Sequence, residues 1–314
     1  MIVRGGTNLW RAILIDWPAL IFFSLMSLAA EFINHFTTLG HTVLPLLPLS
    51  VLITALSMFL AFQINQCYER WWEARCLWGQ LVNISRSIGR QITTLISAQR
   101  IAALSDERAA KQLQLKLVYR QIAYVNALRI CLRKNNRLEN DDWQELGNWL
   151  DEADILHLRM TANIPTQLIQ LQEKTIAGLV GDWMEQPILL QFDNAFKQLD
   201  DIQGGCERIK RTAFPDRFRF HTHTFVWLLA MLIPFCLIQS GNPFDIIEMI
   251  IDTFLSFVFV TIERLGSELR DPFENKSNDT PMNALCRLIE IDLRQQLDEV
   301  VMLDPLEPVK GILM

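Results

Sequence analysis

The apolar positions fall into four long runs, and a long amphipathic stretch separates the second from the third. From Phe36 to Tyr68 the chain carries no Asp, Glu, Lys or Arg, and it runs directly into Cys67-Tyr68-Glu69-Arg70-Trp71-Trp72-Glu73-Ala74-Arg75. A hydrocarbon core about 30 Å thick needs roughly 20 apolar residues as helix, and Leu44 to Asn65 supplies them. Pro45 and Pro48 stand at the start, where a missing N–H costs least, and no Gly occurs from Leu44 to Trp78. The pattern predicts one long helix, half in lipid and half in water.

Further uncharged or nearly uncharged runs at Trp17 to Phe36, Thr222 to Ser240 and Phe244 to Ile262 bring the expected number of spans to four. The last carries Glu248 and Asp252, each costing a few kcal/mol in lipid unless it faces protein or water. A buried amphipathic helix is the alternative there. Neither short connection, Thr37 to Pro45 or Gln239 to Asp245, contains Lys or Arg. Arg4, Arg11, Arg70, Arg75, Arg208, Lys210, Arg211, Arg217, Arg219, Arg264 and Arg270 flank the other span ends. The positive-inside rule then puts both termini and the middle segment in the cytoplasm. The first span has no small-residue cleavage site after it and is expected to remain in the mature protein.

Between Gln66 and Phe220 apolar residues recur at helical spacing, as in Leu113, Leu117, Ile122, Val125, Leu128 and Leu132. Breaks are expected at Asn135-Asn136, Ile164-Pro165, Gln186-Pro187 and Gly204-Gly205. β-branched alternation is rare, so the fold class is all-α. The expected organisation is 1–65 with spans one and two, 66–220 as a cytoplasmic helical domain, 221–264 with spans three and four, and 265–314 as a cytoplasmic C-terminal segment.

Composition agrees with a membrane part joined to a soluble one: of 314 residues, 50% are hydrophobic while 20% are charged. A net charge of -6, with basic residues spread along helix faces, argues against nucleic acid as a partner. The six cysteines form no CxxC pair and read as free thiols. There is no P-loop, dinucleotide-binding glycine pattern, HExxH or serine elbow. His221 and His223 point apart on a helix and lack nearby Cys or carboxylate ligands, so anchoring at headgroup level is the better reading for them. No cofactor and no metal site is expected. A membrane enzyme would have Glu31 with Asp252 as its sole plausible intramembrane pair, and those carboxylates are equally readable as packing or vestibule charges.

Thr54, Met58 and Phe62 lie four residues apart on one face of the second span, and Gln66 continues that face. In a single subunit this stripe would be core, the reading that spacing alone favours. If several copies surrounded an axis, the same residues would form stacked rings and an apolar neck of the kind that gates by dewetting.

Together, Phe62 to Gln80 (FQINQCYERWWEARCLWGQ), Pro187-Ile188-Leu189-Leu190-Gln191, Gln203-Gly204-Gly205-Cys206-Glu207-Arg208 and Asp271-Pro272-Phe273 resemble the bestrophin family of ion channels over nearly the whole chain. A bacterial-type member is the best fit. The resemblance implies a bestrophin-like homopentamer around a central pore lined by the second helix, with its neck at Thr54, Met58 and Phe62 and a cytosolic aperture at Ile188. It assigns a structural part to Arg70, Trp71, Trp72, Glu73, Arg75, Asp271, Pro272 and Phe273. Thr54 is more polar than the apolar residue expected in a neck, which implies a wider or wetter outer ring.

The animal members' calcium clasp follows the Pro-Phe turn, where this chain reads Glu274-Asn275-Lys276-Ser277-Asn278-Asp279; only Asp279 matches it clearly. Lys276 stands where the clasp would want a carboxylate, so a hard cation with six to eight oxygen ligands would find too little negative charge, and a surface turn at the membrane border is the expected role. The implied function is conduction of small monovalent ions, chloride and other anions or, as in some bacterial members, sodium or potassium, across the bacterial inner membrane amid membrane lipids. A membrane-anchored cytoplasmic scaffold without conductance is the alternative.

Overall fold

The computed structural model describes residues 9–36, 46–96, 107–179, 186–212, 216–237, 245–300, 303–309 and 311–313. The connections 37–45 and 239–244 and the residue Arg4 lie outside them, as does the side chain of Arg11. The described residues form ten helices: α1 Leu9–Phe36, α2 Leu46–Leu95, α3 Glu107–Lys134, α4 Asn140–Leu146, α5 Glu152–Arg159, α6 Ile164–Ala177, α7 Gln186–Arg211, α8 Asp216–Leu237, α9 Ile246–Glu268 and α10 Met282–Gln296. No strand occurs among them, only an isolated bridge between Val309 and Ile312.

The chain divides into two compact units. One holds α3 to α7, α10 and α2 from Trp72 onward; the other holds α1, α8, α9 and α2 up to Trp71. Helix α2 contributes to both because nothing in its 50 residues interrupts it. At 1.5 Å per residue it is about 75 Å long, more than twice a hydrocarbon core. Its inward positions keep the three-and-four spacing of a packed helix: Leu49, Leu60, Gln63, Cys67, Ala74, Trp78, Leu81, Ser85, Ile88 and Ile92 are all buried.

In the polar unit α3 is the central helix, and the amphipathic reading of it needs correction. From Leu117 to Leu132 every residue except Tyr119 is buried, polar ones included. Buried polar groups require partners, and neighbouring helices supply them. Gln121 Nε2 donates to Ser85 Oγ at 3.1 Å, and Gln172 Nε2 donates to Gln121 Oε1 at 3.1 Å. Arg120 holds Asp154 through two bonds, Nε–Oδ2 at 2.7 Å and Nη2–Oδ1 at 2.8 Å.

Three expected breaks coincide with helix ends. Asn135 and Asn136 take positive φ angles of 51° and 62° just after α3, conformations that Asn tolerates. Asn163 caps α6 by accepting from Thr166 N at 3.3 Å, with Pro165 in the first turn, and α7 starts at Gln186. The fourth expectation fails: α7 runs unbroken through Gly204-Gly205 to Arg211. The physical reason is packing, since a Cβ at Gly205 would come within 2.9 Å of Leu77 Cδ1 on α2. Glycine here admits a neighbouring side chain instead of ending the helix.

The other unit has the distribution of a body surrounded by apolar solvent. Leu25, Phe32, Val51, Leu228, Ile247 and Phe254 are exposed, whereas Ser27, Glu31, Gln63, Thr222, Asp252 and Ser256 are buried. So much outward apolar surface is more than a monomer in water presents. Two helices among the described residues contain segments long and apolar enough to cross a bilayer, Asp16–Phe36 and Pro48–Leu95.

Candidate pore-lining site

At 100° per residue, Met58 lies about 180° around α2 from the mean direction of Leu49, Leu60, Gln63 and Cys67, the buried face. Thr54 and Phe62 flank it by about 40° on either side. All three are exposed, Met58 at 62% and Phe62 at 60%. The core reading of this stripe is therefore wrong for the single chain: the face points away from the packed interior. Thr54 Oγ1 donates to Ser50 O at 2.8 Å, so its hydroxyl proton is held by its own helix and does not face outward. Gln66 continues the open face.

Ile188 has a different setting. It is half-buried and packs with Leu189 against the core of the polar unit, because it shares the inward stripe of α7 with Phe192, Ala195, Leu199 and Ile202. The large apolar side chain left open in that first turn is Leu190, 59% exposed, which sequence reasoning did not single out. The signal was present, since Leu190 is out of register with that stripe.

The quoted motifs meet on α7. Glu73, from the RWWEAR block, is ion-paired with Arg208 about one and a half turns before the fully buried Trp78. Leu77 enters over Gly205. Glu207 accepts from Gln203 Nε2 at 2.7 Å and from Asn163 Nδ2 at 3.1 Å, anchoring α7 to the start of α6. Lys210 Nζ reaches Glu274 Oε1 at 2.5 Å, just after the Asp271-Pro272-Phe273 turn. There Phe273 is buried and Pro272 O accepts from Thr280 N at 3.1 Å. Arg70, Trp71 and Arg75 are half-buried, and Trp72 is 52% exposed.

The family model described as Bacterial/Fungal Bestrophin protein matches residues 9–295. The chain belongs to the bestrophin family. It is 32% identical over 287 residues to the voltage-dependent anion channel-forming protein YneE of Salmonella typhi, covering 88% of this chain and 84% of that protein. A Ralstonia nicotianae protein named in the same way, RSc3414, is 29% identical over 95% of both chains. A crystal structure of a bacterial bestrophin homologue from Klebsiella pneumoniae matches with a TM-score of 0.77 at 26% identity, covering 90% of this chain and 98% of that one. These relatives are channel proteins, not enzymes.

In this bestrophin the Glu274–Asp279 turn closes on its own backbone. Asp279 and Thr280 are buried, which corrects the expectation of a simple surface turn, although Glu274, Asn275 and Lys276 are exposed. Asp279 Oδ2 accepts from Lys276 N at 3.0 Å. Burial pushes the Asp279 carboxyl above the usual carboxylate range, while the backbone amides of Lys276, Glu274 and Asn275 and the Lys276 charge pull it back. Its oxygen thus holds the turn together, and no group of three or more metal-ligating side chains occurs among the described residues. His221 stacks on Phe225, with ring centroids 5.8 Å apart, and His223 Nδ1 lies 3.3 Å from Glu263 Oε2.

Proposed function

We propose that this bestrophin is a homopentameric channel for small monovalent ions. The α2 helices surround the pore, Thr54, Met58 and Phe62 form its neck, and the first turn of α7 forms the cytosolic aperture at Ile188. The observation that carries the reading is the stripe: an apolar face centred opposite the helix's own core has no role in the single chain and becomes a lining when copies close into a ring. Spans are α1, the first half of α2, α8 and α9, while the polar unit and both termini lie in the cytoplasm. The basic residues at the span ends support that orientation in the bacterial inner membrane. Names of the relatives favour anions as the permeant species.

The test is the reversal potential of purified protein in a planar bilayer under a KCl gradient. A shift to the chloride potential is the expected result. A shift to the potassium potential makes the neck cation-passing, and no current from protein confirmed to be pentameric moves the reading to the scaffold.

A further inference from the structure

A cavity of 530 Å³ lies among α1, α8 and α9, remote in role from the α2 stripe. Its wall is apolar and aromatic: Phe22 and Trp227 meet edge to face with centroids 5.8 Å apart, and Val260 continues the surface. Its rim is charged. Arg264 is ion-paired with Asp16, and His223 Nδ1 stands 3.3 Å from Glu263 Oε2. Both carboxylates are buried, whereas more than half of each basic side chain is open. Trp227 Nε1 is shielded and has no hydrogen-bond partner among the described residues.

The charged residues of the rim lie toward one end of the helix bundle, Asp16 and His223 each about two turns from the start of α1 and α8, and Glu263 and Arg264 in the last two turns of α9. The basic flanks place that end at the headgroup level of the membrane. The volume falls within the range of small-molecule sites. A simple anion there would meet the two basic groups and also two buried carboxylates, so the rim selects no single sign. A head that carries phosphate and ammonium together satisfies both.

We infer that this cavity binds one zwitterionic phospholipid of the phosphoethanolamine type. Arg264 and His223 receive the phosphate, and Glu263 receives the ammonium through hydrogen bonds that a quaternary amine cannot make. Phe22 and Val260 cover the start of the acyl chains. The inference rests on insertion of α1, α8 and α9 in the membrane and is independent of the pore.

The test is lipid retention by the intact assembly, measured by native mass spectrometry after release from bilayers of equal parts phosphatidylethanolamine, phosphatidylcholine and phosphatidylglycerol. The expected result is about one phosphatidylethanolamine held per chain, with the other two depleted. Arg264→Gln and Ala19→Phe, the latter filling the cavity without touching a charge, each lower that retention about tenfold at unchanged oligomer mass. Should Arg264→Gln fail to fold because it strands Asp16, Ala19→Phe still decides. Equal retention of the three lipids, preference for phosphatidylglycerol, or undiminished retention in Ala19→Phe overturns the site. Protein that retains the lipid but passes no current keeps this inference and loses the channel reading.

Discussion

A β-carbon on Gly205 of α7 would stand 2.9 Å from Cδ1 and 3.0 Å from Cδ2 of Leu77 on α2, while at the adjacent Gly204 nothing lies within 4 Å. Two neighbouring glycines therefore carry opposite expectations. Gly204→Ala should stabilise by about 0.5–1 kcal/mol, the ordinary gain of Ala over Gly inside a helix. At Gly205 the same gain is offset by overpacking of about 1–3 kcal/mol, so Gly205→Ala should unfold at or below the wild-type temperature. Thermal unfolding of the two variants side by side checks the pair, and equal stabilisation of both would remove the close-packing account.

The Arg120–Asp154 pair makes a larger prediction. Both side chains are about nine-tenths buried, and Arg120 Nη1 also donates to Thr175 Oγ1 at 2.8 Å. Asp154→Ala leaves a guanidinium charge uncompensated in the interior and should cost about 3–5 kcal/mol. Chemical denaturation of the purified protein measures it. A loss under about 1 kcal/mol, the worth of an exposed pair, would mean that water reaches Arg120.

Variants at the two proposed constrictions test each of them separately. Phe62→Ala should raise single-channel current about twofold or more by widening the neck. Ile188→Ala and Leu190→Ala compare the half-buried and the open side chain at the start of α7. The resemblance expects the Ile188 variant to raise current, and an effect confined to Leu190 would move the aperture by two residues.

Much of the architecture was legible in the residues. Helix α2 could be read as continuous because its sequence offers no Gly before Gly79 and no Pro after Pro48. The end of α3 and the start of α6 were marked by Asn135-Asn136 and Ile164-Pro165, whose chemistry is local. Features decided by partners were not legible. Arg120 and Gln121 look like a solvated face until Asp154 and Gln172 arrive from other helices. Gly204-Gly205 reads as a break by propensity, and packing of Leu77 overrides it. The Thr54–Met58–Phe62 stripe records that a face is apolar without recording what meets it, and within one chain that face is open. Asp279 gave no sign of burial, since the turn's own amides rather than a charge partner hold it.

Thiol chemistry tests the interior of the polar unit. Burial pushes Cys131, Cys206 and Cys286 up to about 12, and among the six cysteines Cys76 alone is exposed. A maleimide at neutral pH should modify one thiol per native chain, at Cys76, and the remainder only after denaturation, as read by mass. These raised values also fix a pH dependence. The folded state holds three protons that the unfolded state releases near the ordinary value of 9.0. Stability from this source is complete below pH 9 and is lost as pH rises toward 12. Alkaline unfolding that is insensitive to replacing all three by Ser would contradict it.

The most direct test of the pore is chemical modification of the stripe during conduction. With Cys76 replaced by Ser, Met58→Cys protein in a planar bilayer is exposed to a charged methanethiosulfonate reagent while current is recorded. The account predicts a lasting fall in current in Met58→Cys and none in the Ser background alone. Current that persists unchanged while mass spectrometry finds the introduced thiol modified would place the α2 stripe away from the ion path.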